Sequence, residues 1–212
     1  MTCGRCGSAE PCTPTIFVVD DDEAMRHSLA FLLKSLGMPV ECHPSAEAFL
    51  AARQPGRPGC LVLDVRMPGM SGLELQTLLN RAGSTLGIVF LSGHGDIPMA
   101  VQAMQDGAVH FLEKPCSDQV LLEQVSRAIR KSSEACGRAA LAASVRSRME
   151  LLTQRERDVM ALVVQGKPNK VIAFELDISI KTVEVHRAHV MEKMQADSVA
   201  DLTRMLMEGD LG

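Results

Sequence analysis

Short apolar runs that alternate with helix-period segments constrain this chain more than any other feature. The runs cover residues 16–19, 38–42, 60–63, 88–91 and 108–112. Segments with helical apolar spacing lie between them at 22–36, 45–53, 71–81, 97–105 and 117–131, with a Ser or Asp cap or a terminating Gly nearby. Strands with few charges, separated by helices, require a parallel sheet buried on both faces with right-handed crossovers. The expectation is an open, doubly wound α/β unit with a five-stranded parallel sheet over residues 15–131.

After residue 131 the pattern changes. Residues 132–150 are rich in Ala, Ser and Arg, with Gly137 as the obvious breaker, and read as a partly helical linker. Residues 151–207 contain no strand pattern, only helical stretches at 154–165, 169–176, 180–194 and 198–207. A small all-α domain is expected there, followed by a tail at 208–212. A chain of 212 residues accommodates two such domains.

Composition excludes several classes. Apolar residues make up 46% and charged residues 23%, ordinary globular usage. The longest strongly apolar stretches, 15–19 and 60–63, are far short of the ~20 residues that cross a bilayer. Residues 1–15 lack a basic region followed by an apolar core, so no export signal is read and a cytoplasmic protein without membrane contact is expected. Seven scattered cysteines fit reduced thiols better than a disulfide framework. With neither Trp nor Tyr, base-stacking platforms are excluded.

Ligands of open α/β sheets bind beyond the carboxyl ends of the strands. The first run leads into Asp20, Asp21 and Asp22, the third into Asp64, the fourth into Ser92, and the fifth is followed by Lys114 and Pro115. Carboxylates this close repel one another unless a cation is bound, and Mg2+ held by carboxylates and water is the hard-cation solution. With the cation shielding it, one carboxylate can attack a phosphoryl group while a Lys and a hydroxyl neutralise the transferred oxygens. Asp22 reads as the cap of the following helix.

The segments Val18-Val19-Asp20-Asp21-Asp22, Leu63-Asp64-Val65-Arg66-Met67-Pro68-Gly69, Leu91-Ser92-Gly93-His94-Gly95 and Phe111-Leu112-Glu113-Lys114-Pro115 resemble the receiver domain of two-component response regulators. The resemblance implies the flavodoxin-like fold, with Asp64 as phosphoacceptor. It implies a Mg2+ shell in which Asp21 is a direct ligand and Asp20 acts through water, completed by Asp64 and the backbone carbonyl of Arg66. Ser92 and Lys114 would bind the phosphoryl group, and Phe111 matches the aromatic switch position. His94, between glycines, is expected to be solvated.

In the helical part, Thr153 followed by Glu156 is a capping-box pattern. The short helix at 169–176, the connection Asp177-Ile178-Ser179 and the longer helix from Ile180 have helix-turn-helix form. This part resembles the LuxR-type DNA-binding domain of the FixJ class of regulators. In such a domain the second helix enters the major groove. Its candidates are Lys181, Thr182, Glu184, Val185, Arg187 and Ala188. Glu184 can accept from cytosine, Val185 can meet a thymine methyl, and Arg187 can read guanine or hold a phosphate. Lys170, Lys181 and Thr182 read as phosphate anchors; Val183, His186, Val190 and Met194 read as core.

Residues 147–212 carry nine Lys plus Arg against eleven Asp plus Glu, a net charge of −2. Phosphate attraction scales with the number of phosphates neutralised, so one copy should bind DNA poorly and paired half-sites on a dimer become the route to affinity. Arg130, Lys131, Arg138, Arg146 and Arg148 can add to it. The helix at 198–207 is the dimer contact by resemblance, although its apolar stripe equally suits packing on its own domain.

The implied protein is a phosphorylation-dependent transcriptional regulator, with activation favoured over repression and no enzymatic activity. Its partners would be a sensor histidine kinase, double-stranded promoter DNA, a second copy on phosphorylation and, further, RNA polymerase. A phosphatase using an aspartyl nucleophile is the rival, but it would need a second Asp where Arg66 stands. A redox or metal sensor built on Cys3, Cys6 and Cys12 is the other; structural zinc usually takes four ligands, and residues 1–14 read as a flexible extension. Cys42, Cys60 and Cys136 read as small residues in or near packed elements, and Cys116 adjoins the Lys114-Pro115 turn.

Overall fold

The computed structural model describes residues 13–93 and 97–209. His94, Gly95 and the cysteine positions Cys3, Cys6 and Cys12 therefore lie outside the described residues. Clustering of contacts divides the chain into residues 1–136 and 137–212, each taken by itself below.

The first unit alternates strand and helix: β1 (Thr15–Val19), α1 (Glu23–Leu33), β2 (Val40–His43), α2 (Ala46–Ala52), β3 (Gly59–Leu63), α3 (Gly72–Arg81), β4 (Gly87–Ser92), α4 (Ile97–Gln105), β5 (His110–Glu113) and α5 (Asp118–Glu150), which continues into the second unit. The strands form one parallel sheet in the order β2-β1-β3-β4-β5. Every residue of β1, β3 and β4 is buried, whereas the edge strands β2 and β5 are partly exposed. That is the pattern of a sheet covered on both faces.

Alternation along the strands builds two cores. Ile16, Val18, Cys60, Val62, Val89 and Leu91 pack with Leu29 and Leu33 of α1 and Leu121, Val125 and Ala128 of α5. Phe17, Val19, Leu61, Leu63, Ile88 and Phe90 pack with Phe49 of α2, Leu75 and Leu79 of α3 and Ala103 of α4. Both sets need the period of two that a strand imposes.

Local chemistry sets the boundaries. Asp22 caps α1 by accepting from the backbone N–H of Ala24 and Met25, at 2.8 and 3.2 Å. Ser71 and Glu74 close a capping box on α3. The first helix ends at Leu33 and tightens into a 3-10 turn over Lys34–Leu36, closed by Gly37 at φ 71°. β2 and β5 begin two residues later than their apolar runs. Gly37 and Pro39 occupy the approach to β2, and Pro39 has no N–H to donate to a ladder. Before β5, the N–H of Ala108 turns back to Ala103 O and closes α4 instead of pairing.

Helix α5 passes through residues 132–150 without a break, Gly137 included. A single helical Gly costs only ~1 kcal/mol against Ala, and the surrounding Ala and Arg residues favour helix strongly enough to carry it.

The second unit contains α6 (Gln154–Val164), α7 (Asn169–Leu176), α8 (Ile180–Met194) and α9 (Val199–Gly209). Thr153 and Glu156 close the anticipated capping box on α6. Asp177 adopts a left-handed conformation at the end of α7, and Ser179 caps α8, so the turn between them is tight. Val145, Leu152, Met160, Val190, Met194 and Leu202 form one core, and Val159, Val163, Ile172, Ala173 and Val183 another.

Candidate functional site

The carboxyl ends of β1, β3 and β4, and the start of the loop after β5, converge. Asp64 N–H donates to Val19 O at 2.9 Å, and Lys114 N–H donates to Ser92 O at 2.9 Å, so sheet register itself brings Asp20, Asp64, Ser92 and Lys114 together. Asp20, Asp21, Asp22, Met25, Asp64, Arg66, Ser92, Gly93 and Lys114 line a cavity of 280 Å3.

Lys114 is the centre of its electrostatics. Its Nζ donates to Asp20 Oδ2 at 2.7 Å and to Asp64 Oδ2 at 2.8 Å. The side chains of Asp20, Asp64 and Lys114 are 2, 13 and 17% exposed. Burial pushes the Lys114 ammonium down, but its bonds to Asp20 and Asp64 and their charges outweigh this and hold it above its ordinary value. Asp20 Oδ1 accepts from Asp22 N at 2.9 Å, and Asp64 Oδ1 accepts from Arg66 N at 3.1 Å. Asp21 is exposed at the mouth, and Ser92 is fully buried. Phe111 is partly buried, its ring 5.9 Å from that of Phe90.

The donor set fits a hard divalent cation. Asp20, Asp21 and Asp64 each offer an oxygen within 4.8 Å of the others, with Arg66 lining the same cavity. The other grouping with metal-ligand residue types, Glu156, His186 and His189, has a different character. Glu156 Oε1 and Oε2 accept from Lys193 Nζ at 2.9 and 2.7 Å, and Oε2 also accepts from Thr153 N at 2.8 Å. The carboxylate's lone pairs are engaged, and it ties α6 to α8.

The bonds from Lys193 and the Thr153 backbone hold the Glu156 carboxyl down at about 2. A depressed native pKa adds stability that is complete above the unfolded value near 4.5 and is lost as pH falls toward about 2. Glu156→Gln is expected to cost the helical unit about 1–2 kcal/mol at neutral pH, with the partly exposed Lys193 screened by solvent. Hydrogen exchange of α6 and α8 amides checks it: the difference from the native chain should shrink below about pH 4.5.

On α8, Lys181, Glu184, Val185 and Ala188 are exposed, while Val183, Val190 and Met194 are buried, as helical spacing requires. Lys170 is exposed on α7. Thr182 is half-buried and engaged in the helix cap: its N–H donates to Ser179 Oγ at 3.0 Å and the two hydroxyls lie 2.8 Å apart. Arg187 is half-buried, and its Nη1 donates to Asn169 Oδ1 at 2.8 Å. His186 is also half-buried, with Nδ1 buried and unbonded.

Several supporting residues escaped the sequence reading. Arg26 Nη1 donates to the carbonyls of Asp20 and Asp21. Glu47 accepts from Met70 N in the loop after β3, and Gln76 and Asn80 bond the carbonyl of Asp106. Their partners are backbone atoms, which carry no residue-type signal. The Asn169–Arg187 pair is between side chains, but no short motif joins its members.

Residues 16–126 match the response regulator receiver domain, and residues 150–206 match the luxR family of bacterial regulatory proteins. The chain is 48% identical over 198 residues to the transcriptional regulatory protein FixJ of Rhizobium meliloti strain 1021, covering 93% of this chain and 97% of that one. Against the response regulator protein TodT of Pseudomonas putida it is 43% identical over 190 residues, 90% of this chain and 84% of that one. The solved structure of the response regulator StyR aligns with a TM-score of 0.84 at 43% identity, covering 92% of this chain and 99% of that one. Fold and acidic site thus define a receiver joined to a LuxR-type DNA-binding unit. The chain belongs to the FixJ/LuxR class of response regulators: it is a phosphorylation-dependent two-component transcriptional regulator and not an enzyme.

Proposed function

We propose that Asp64 accepts the phosphoryl group and that the residues around it convert the modification into DNA binding. The observation that carries this is the buried Lys114 ammonium bonded to both Asp20 and Asp64. In the transfer, an Asp64 carboxylate oxygen bonds to phosphorus as the phosphorus–nitrogen bond of a kinase phosphohistidine breaks and the imidazole leaves. Asp20, Asp21, Asp64 and the carbonyl of Arg66 would hold Mg2+, which supplies charge neutralisation at the phosphoryl oxygens. Lys114 then exchanges a carboxylate partner for a phosphoryl oxygen, and Ser92 binds another.

Helix α4 connects Ser92 of β4 to Phe111 of β5, so movement of either side chain acts on it. Its Ile97, Val101 and Met104 are 81, 48 and 43% exposed and follow helical spacing. A second copy of the receiver is the natural cover for this stripe, which makes dimerisation the response to phosphorylation. Dimerisation in turn supplies the paired half-sites that a net-negative helical unit needs.

On DNA, α8 would occupy the major groove with Glu184, Val185, Arg187 and Ala188 toward base edges and Lys170, Lys181 and Thr182 toward phosphates. Thr182 would contact phosphate through the start of α8, where its hydroxyl already bonds Ser179. Promoter activation, with contact to RNA polymerase, is the output favoured, and the cytoplasm is the compartment such a chain requires. Among the described residues no helix is long and apolar enough to cross a membrane.

Treatment of the full chain with acetyl phosphate tests the acceptor. Peptide mass spectrometry should find the phosphoryl group on Asp64 with Mg2+ present and none with Mg2+ chelated. Modification elsewhere, or labelling indifferent to Mg2+, overturns the assignment.

A further inference from the structure

We propose that Arg26 is a positioning residue for the divalent-cation site: by holding the backbone carbonyls of Asp20 and Asp21, it sets the acidic loop in its cation-binding arrangement. The proposal rests on the acidic pocket being the Mg2+-dependent phosphorylation site.

One atom makes both contacts. Arg26 Nη1 donates to Asp20 O at 2.8 Å and to Asp21 O at 2.9 Å. Arg26 lies in the first turns of α1, where its own N–H donates to Asp22 O at 3.0 Å, so the guanidinium folds back over the loop that starts its helix. The side chain is half-buried.

The need for such a clamp follows from repulsion. Asp20, Asp21 and Asp64 bring carboxylate oxygens within 4.8 Å of one another. Like charges at that distance drive a flexible loop apart before any cation arrives. Lys114 restrains Asp20 and Asp64 through their side chains. Arg26 restrains the other half of the loop, reaching Asp21 through its carbonyl. With both carbonyls turned to the guanidinium, the loop keeps its carboxylates for the cation. Outer-shell partners that orient metal ligands are typically worth ~10- to 100-fold in metal affinity.

A positive charge beside a cation site also repels the cation, so charge and position predict opposite signs. Removing Arg26 weakens Mg2+ binding if position dominates, and tightens it if charge dominates. The sign of the change therefore decides between them.

The experiment is a Mg2+ titration of the full, unphosphorylated chain followed by amide NMR, with the native sequence, Arg26→Met and Arg26→Lys side by side. Arg26→Met should raise the Mg2+ midpoint by about tenfold or more. Arg26→Lys keeps the charge and one short donor, and should fall between the two. Tighter binding by Arg26→Met, or a midpoint equal to the native one with only a lower melting temperature, overturns the positioning role. The same spectra report folding. Should the Met chain fail to fold, the Lys chain decides: a raised midpoint supports the clamp and an unchanged one rejects it. If the native chain itself shows no saturable Mg2+ response, the reading of the pocket fails, and the proposal with it.

Discussion

Asp64→Asn is expected to abolish phosphate-dependent dimerisation while leaving the fold intact. The substitution keeps the shape of a side chain that is 13% exposed, with Lys114 Nζ 2.8 Å from one oxygen and the Arg66 N–H 3.1 Å from the other. An amide is a poor nucleophile toward phosphorus and carries no charge for Lys114 or a cation, so no acyl phosphate forms. Without it, neither Ser92 nor Lys114 has a new anion to bind, and α4 stays where it rests. Stability should change little, because relief of the Asp20–Asp64 repulsion offsets the weaker bond to Lys114. Sedimentation of the native and variant chains with acetyl phosphate and Mg2+ checks this. Equal dimerisation of the two places the phosphoacceptor elsewhere.

Gly72→Ala is expected to give the largest loss of stability from a single added methyl group. A Cβ there would lie 2.3 Å from the backbone oxygen of Asp64 and 3.1 Å from both Leu63 and Phe90 side chains. The nearest of these is main chain at the end of β3 and cannot swing aside. Overpacking of this kind costs about 1–3 kcal/mol, with the upper end expected for a backbone clash. Since the displaced carbonyl belongs to Asp64, phosphorylation by acetyl phosphate should slow as well. Gly137→Ala is the matched control: nothing lies within 4 Å of its Cβ and it sits within α5. That change should stabilise the chain by up to ~1 kcal/mol. Chemical denaturation reads both signs, and a neutral Gly72→Ala would contradict the close approach.

The acidic pocket was legible because strand ends are. An apolar run of four or five residues that stops at Asp or Ser states both where a strand lies and which side chain its carboxyl end presents. Sheet order then needs only the crossover rule, and Asp20, Asp64, Ser92 and Lys114 meet. Phe111 was placed by its register with Lys114, and its contact with Phe90 is a tertiary fact. Arg26 was not legible: on an amphipathic helix it reads as a solvated charge, and its acceptors are carbonyls common to all residues. The continuity of α5 was hidden by Gly137, whose cost is small beside the propensity of its neighbours. Thr182 shows a subtler limit. Its spacing from Ser179 encodes a helix cap, so the hydroxyl read as a phosphate anchor is already spoken for. Arg187 was read as free to choose between base and phosphate, whereas Asn169 holds it in one orientation.

The central claim is that phosphorylation at Asp64 governs DNA recognition by α8. Selection of genomic DNA fragments by the purified full chain, with and without beryllofluoride and Mg2+ as a phosphoryl mimic, tests it most directly. Enrichment of a two-fold-symmetric site in the mimic state alone is the predicted result. Equal enrichment in both states, or none in either, would contradict it.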